Sequence, residues 1–136
     1  MDKAPPILIE ISPGELIDRL TIAEIRSARQ ADPGQTAVAL REVATLSRTR
    51  QRSVPPGDPF EQLANDLRAV NQELWQMEDE IRAAGMVDGV ARDIGELALR
   101  ICRANDRRAR LKQRINALLG VVAAESKLYR SAMGRR

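Results

Sequence analysis

Two ladders of aliphatic residues constrain this chain more than any other feature. The first runs Leu63, Leu67, Val70, Leu74, Met77, Ile81. The second runs Val90, Ile94, Leu97, Ile101, Ala104, Arg108, Leu111, Ile115, Leu118. Both step by alternating fours and threes, the period of a helix that packs along one seam. Gly85, Asp88 and Gly89 lie between them. The pattern predicts a long antiparallel helical hairpin, about 58–84 and 88–119, spanning about half the chain.

A length of 136 residues fits one domain over 1–136 with a real core. Phe60, Trp75 and Tyr129 are the only aromatics, so the core must be aliphatic. Such a core suits helix-on-helix packing and argues against a sandwich or barrel. Histidine is absent, which removes the commonest general base and metal ligand together. Cys102 is alone, so neither a disulfide nor a thiolate metal site forms within one chain. Its place beside Ile101 predicts a half-buried structural thiol. No cofactor or metal is expected.

The apolar run Ile7 to Ile11 is short and broken by Glu10, unlike a secretory leader. The longest uncharged apolar stretch, Ala117 to Ala124, is far below a membrane span of about 20 residues. A cytoplasmic location is the expectation.

The net charge of +3 hides an asymmetry. Residues 1–99 carry 11 basic and 17 acidic side chains, a net of −6. Residues 100–136 carry 11 basic and 2 acidic, a net of +9. A basic end can mark an acidic partner or nucleic acid. We expect instead that the two parts largely neutralise each other in the fold.

Along the chain, residues 1–6 form a loose lead-in with Pro5 and Pro6. Ile7-Leu8-Ile9-Glu10-Ile11 has the content of a short strand, expected to lie extended against the helices. Ser12-Pro13-Gly14-Glu15 is a helix start, with Ser12 as cap, Pro13 in the first position and Glu15 closing a capping box. That helix should reach about Gln30. Its apolar residues do not fit one stripe, so it should be buried on two sides, centrally or under a dimer partner. Asp32-Pro33-Gly34 breaks it. A second, peripheral helix follows over about 35–52, on a weak face of Ala37, Leu40, Ala44 and Ser47. Residues 53–57 form a loop. Asp58-Pro59-Phe60-Glu61 repeats the start signal with Asp58 as cap. Gly120 fits a helix stop, and a short C-terminal helix is expected over about 123–133. The fold class is an all-α bundle, built on the hairpin with two N-terminal helices and a short C-terminal one.

The ladders also suggest a register. Folding at 85–89 sets Leu74 against Leu97, Val70 against Ile101 and Leu67 against Ala104. One flank then pairs Glu73 with Arg100 and Asp66 with Arg107, while Glu80 meets Asp93, a like-charge mismatch. The other flank pairs Asn71 with Asn105, beside Ala64 and Ala98, whose small size lets the first helix approach. Arg108 falls on the seam opposite Leu63, and a buried guanidinium there needs a carboxylate. Asp18, Glu24 or Glu78 could supply it. The expectation is an interior polar cluster of Asp18, Thr21, Glu24, Asn71, Glu78, Asn105, Arg108 and Lys112. It reads either as a register-fixing network or as a ligand site between helices.

Gly14-Glu15-Leu16-Ile17-Asp18-Arg19-Leu20-Thr21-Ile22 resembles the opening signature of an uncharacterised bacterial family of small helical proteins. Asn71-Gln72-Glu73-Leu74-Trp75, Glu78-Asp79, Ile81-Arg82, Asn105-Asp106-Arg107-Arg108-Ala109, Lys112, Ile115-Asn116 and a final Glu125, Lys127, Tyr129 extend the likeness. It spans residues 9–129 apart from 31–60. The chain departs from the pattern at Cys102, where the family has tyrosine, and at Ser126 and Leu128 in the tail. The resemblance implies a domain of unknown function, in the company of glycosyltransferases and helical-repeat proteins of surface polysaccharide synthesis.

Three functions follow as expectations. The first is a non-catalytic interaction or scaffold module with a protein partner, a second copy of itself, or both. The second is a small-molecule site or enzyme in the bundle. Ile17-Asp18-Arg19-Leu20 is similar to a segment of the all-helical chorismate mutases, which bind a dianion without metal or histidine, but no further segment matches. Arg108, Lys112 and Glu78 would then bind a small anion. The third is nucleic-acid or anionic-membrane binding through the basic C-terminal part, disfavoured because it lacks aromatic interleaving and any binding motif.

Overall fold

The computed structural model describes residues 3–85 and 91–120, without the side chains at 91–93. Among these the protein is an all-α bundle of four helices: α1 (Pro13–Arg29), α2 (Pro33–Ser53), α3 (Asp58–Ala84) and α4 (Ala91–Leu118). The hairpin turn at 86–90 and the tail helix expected over 123–133 lie outside the described residues.

The helix starts follow local chemistry. Ser12 caps α1, its Oγ accepting from the Glu15 N–H at 3.2 Å. Glu15 does not close the capping box, because its carboxylate is drawn to Lys112 and Arg19 instead. Asp32 caps α2 through the Gly34 N–H at 3.1 Å, so the break after α1 is also the start of α2. Asp58 is not a cap. Gly57 takes that position with no side-chain bond, and α3 spans the expected 58–84 with Asp58 in its first turn. Gly120, at φ +70°, closes α4 in the left-handed conformation that favours glycine.

α3 and α4 pack along each other, and α1 packs on all three other helices. The first ladder is buried from Leu63 to Met77, with Ile81 half-buried. In the second, Leu97, Ala104, Leu111 and Ile115 are buried, but Leu118 is exposed and Leu119 packs against the core in its place.

The antiparallel register differs from expectation by one heptad. Arg107 bonds Glu73 at 2.7 Å and Arg100 approaches Glu80 at 3.8 Å. The expected pairs Glu73–Arg100 and Asp66–Arg107 are not formed, and Asp66 accepts from Gln62 instead. A slip of seven residues leaves both apolar ladders facing, so hydrophobic pattern alone cannot detect it. The mismatch of Glu80 with Asp93 was the sign of the wrong register; Glu80 meets a cation in the right one.

α1 crosses this hairpin. Its first turn lies on α4, where the Gly14 N–H donates to Asn116 Oδ1 at 2.7 Å. Asp18 touches both helices, and Glu24 reaches Arg68 on α3. A Cβ on Gly14 would collide with the Lys112 carbonyl, so only glycine allows this approach. The two apolar faces of α1 are thus filled within the chain, centrally, and α1 calls for no second copy.

α2 is peripheral, as expected, but on a different face. Ala39 is buried and Thr36, Val43, Leu46 and Ser47 are half-buried, whereas Ala37, Leu40 and Ala44 are exposed. Near its end Arg50 lies 5.1 Å over the buried Phe60 ring and pairs with Glu61. Residues 7–9 do not lie against the helices. Ile7, Leu8 and Ile9 are 91, 90 and 68% exposed, and only Ile11 reaches the core.

Candidate functional site

The centre of the polar cluster is Asp18, 1% exposed on the buried side of α1. Its Oδ1 accepts from Asn71 Nδ2 at 3.0 Å and from Arg108 Nε at 2.8 Å. Its Oδ2 accepts from a terminal guanidinium nitrogen of Arg108 at 2.5 Å, with Lys112 Nζ 3.7 Å away. This is the bidentate pairing that matches a guanidinium fork to a carboxylate. Asn71 also donates to Thr21 Oγ1 at 2.8 Å, and Thr21 donates to the Asp18 carbonyl at 2.9 Å. Three helices therefore meet on one carboxylate.

Two further ion pairs flank it. Lys112 Nζ donates to Glu15 Oε2 at 2.5 Å. Arg68 donates to Glu24 Oε2 through two nitrogens, at 3.0 and 2.6 Å. The electrostatics follow from these contacts. The Asp18 carboxylate holds the Arg108 guanidinium more firmly protonated than usual, against the opposing effect of burial. Lys112 holds the Glu15 carboxyl below its ordinary range, again against burial.

Of the eight residues expected to cluster, Asp18, Thr21, Asn71, Arg108 and Lys112 come together. Glu24 sits at the edge, committed to Arg68. Glu78 and Asn105 are exposed and take no part in the bonding. They lie nearer the hairpin turn than the place where α1 crosses, and Asn71 turns to Asp18 and Thr21 rather than to Asn105. Ala98 is exposed for the same reason, while Ala64 is buried as expected. Glu15, Arg68, Gly14 and the buried Asn116 belong to the assembly and were missed. Glu15 carries only a capping signal in the sequence, and the ladders place no residue of α4 as far along as Asn116 against α1. Cys102 is exposed, not half-buried, because α4 turns that flank to solvent.

The geometry limits the chemistry. Each Asp18 oxygen is engaged by a cation, and no buried side-chain nitrogen or oxygen among the described residues lacks a partner. Asp18 takes the Nε and one terminal nitrogen of Arg108, whose side chain is still 31% exposed. Two surface grooves lie off Asp18 itself, the first reaching Glu24 at the edge of the cluster. One, of about 460 Å³, is bounded by Leu20, Arg50, Val54 and Phe60. The other, of about 430 Å³, is bounded by Leu63, Asp66, Arg114 and Leu118. Among the described residues no group of three His, Cys, Asp or Glu side chains could hold a metal. None of their helices is long and apolar enough to cross a membrane.

The basic part of the chain is neutralised in part, less than the expected balance of the two parts. Arg100, Arg107, Arg108 and Lys112 each meet a carboxylate from α1 or α3. Lys127, Arg130, Arg135 and Arg136 lie outside the described residues.

No protein-family model, no characterised protein and no solved structure matches this chain.

Proposed function

We propose that the protein is a non-catalytic interaction module. One observation carries this reading: Asp18 and Arg108 satisfy each other inside the bundle. Asp18, the one buried charged side chain among the described residues, is spent on holding α1 across the hairpin, a positioning role. Neither of the two grooves described above is lined by Asp18 or Arg108. The resemblance to the bacterial helical family adds a setting, surface polysaccharide synthesis, in which such a module would act on a protein partner.

A thermal-shift panel of nucleotide sugars, sugar phosphates, aromatic dicarboxylates and a short DNA duplex tests the reading. A ligand at about 100 times its dissociation constant adds about 2.7 kcal/mol, several degrees for a chain of this size. The expected result is no shift that survives moderate salt. A salt-resistant shift that Arg108→Lys abolishes would overturn the module reading in favour of a ligand site. A shift from DNA alone, steeply lost with salt, would move the function to the basic C-terminal part.

A further inference from the structure

Residues 3–12 run without helix, turn or bend. Within this run Ile7, Leu8 and Ile9 are the three most exposed large apolar side chains among the described residues. None of the backbone N–H or C=O groups of residues 7–11 is hydrogen-bonded within the described residues. The segment has β-branched isoleucine at 7, 9 and 11, alternating with Leu8 and Glu10. It therefore has the composition of a strand and a backbone left unpaired, without a sheet. The bundle has no strand among its described residues to offer it. Its far end is fixed, since Ile11 packs on the core and Ser12 caps α1. Pro5 and Pro6 end the stretch able to donate on the other side.

We propose that residues 7–11 add as an edge strand to the β-sheet of a partner protein. The inference rests on the interaction-module reading and names the partner's chemistry: an open sheet edge. Main-chain bonds supply the affinity, and pockets for alternate side chains select the sequence. Ile7 and Ile9 would face the apolar side of that sheet, and Leu8 and Glu10 the other, with Ile11 kept on the bundle's own core. A second copy of this chain fits less well. Two such segments would make a two-stranded ribbon, which is marginal in water. Each bundle begins beyond residue 12, so neither would cover the ribbon's faces.

A proline scan through Ile7, Leu8, Ile9 and Glu10 tests the strand directly. These side chains lie outside the core, so helical content and melting should match the unsubstituted protein in all four variants. The full-length protein captures its partner from extract of its own cells. The captured protein is then purified, and its affinity for each variant is measured. An edge strand points alternate N–H groups at its neighbour, and proline removes one. The expected result alternates: two variants of the same parity lose affinity by roughly tenfold or more, and the other two bind nearly as before. Amides of the same parity should exchange roughly 100-fold more slowly in the complex, as ladder bonds do.

A partner that binds all four variants equally would overturn the strand and leave the module reading standing. Uniform loss would also overturn it, indicating an apolar plug. A dimer in light scattering that the scan dissociates, with no other protein captured, would put a second copy in place of the sheet. A monomer that captures nothing would remove the module reading itself, and this inference with it.

Discussion

Asp18 shows how one side chain can decide the geometry of a bundle. It is buried, acidic and held by donors from α3 and α4. Removing Arg108 leaves the carboxylate with Asn71 and a lysine 3.7 Å away. Arg108→Ala should therefore destabilise by about 2–4 kcal/mol in urea unfolding, below the cost of a fully buried orphan because Lys112 and water can approach. A change of that size is a large part of a stability of about 5–15 kcal/mol. Lys112 leaves a different trace. It depresses the pKa of Glu15 from its ordinary 4.5, so the unfolded state takes up the proton first as pH falls. The stabilisation is complete above about pH 4.5 and is lost as pH drops through the lower folded value. In urea titrations from pH 7 to pH 3, the stability gap between the protein and Lys112→Met should hold near neutrality and shrink in acid. A gap that stays constant would mean that Lys112 acts by packing alone. That Arg108 needs a buried carboxylate was legible from its place in an aliphatic ladder. Which carboxylate it takes was not, because three acids satisfied the same requirement.

At the scale of elements, the hairpin was legible and its register was not. Leu63, Leu67, Val70, Leu74 and Met77 repeat every heptad, so any slip by seven preserves their burial. Charges on the flank and the crossing of α1 break that degeneracy, and neither is local in sequence. A double-mutant cycle on Glu73 and Arg107 should give a coupling of about 0.2–1 kcal/mol, as for other half-exposed pairs. The same cycle on Glu73 and Arg100 should give none. Coupling in the second pair and not the first would restore the register expected from the ladders. The face of α2 was misread for a related reason. Ala37, Leu40 and Ala44 make a fair apolar row, yet Ala39 is the buried residue and Leu46 the one that packs against the core. A helix with so few apolar residues offers several weak rows, and the packing partner chooses among them.

Across the whole molecule, coverage is uneven. α1 lies over the base of the hairpin, where Asn71, Arg108, Lys112 and Asn116 contact it. Towards the turn, Glu78, Leu99, Cys102 and Asn105 are exposed. Local stability should follow that division. Amides in 75–84 and 94–103 should exchange faster than those in 63–74 and 104–116, as measured residue by residue in native conditions. Uniform protection along both helices would mean that the hairpin opens only as a unit. The two-sided burial of α1 could be read from its unstriped apolar residues. Its oblique path could not, because a crossing is defined by which residues on other helices it reaches.

The crossing also orders events in time. Asp18 precedes its counter-ion by 90 residues. At synthesis rates of about 5–20 residues per second, roughly 5–18 s separate the two on the ribosome. Throughout that interval α1 can form as a helix, but its acidic centre has no cation to meet. The bundle can therefore close only after most of α4 has been made, and α1 must wait for it, solvated.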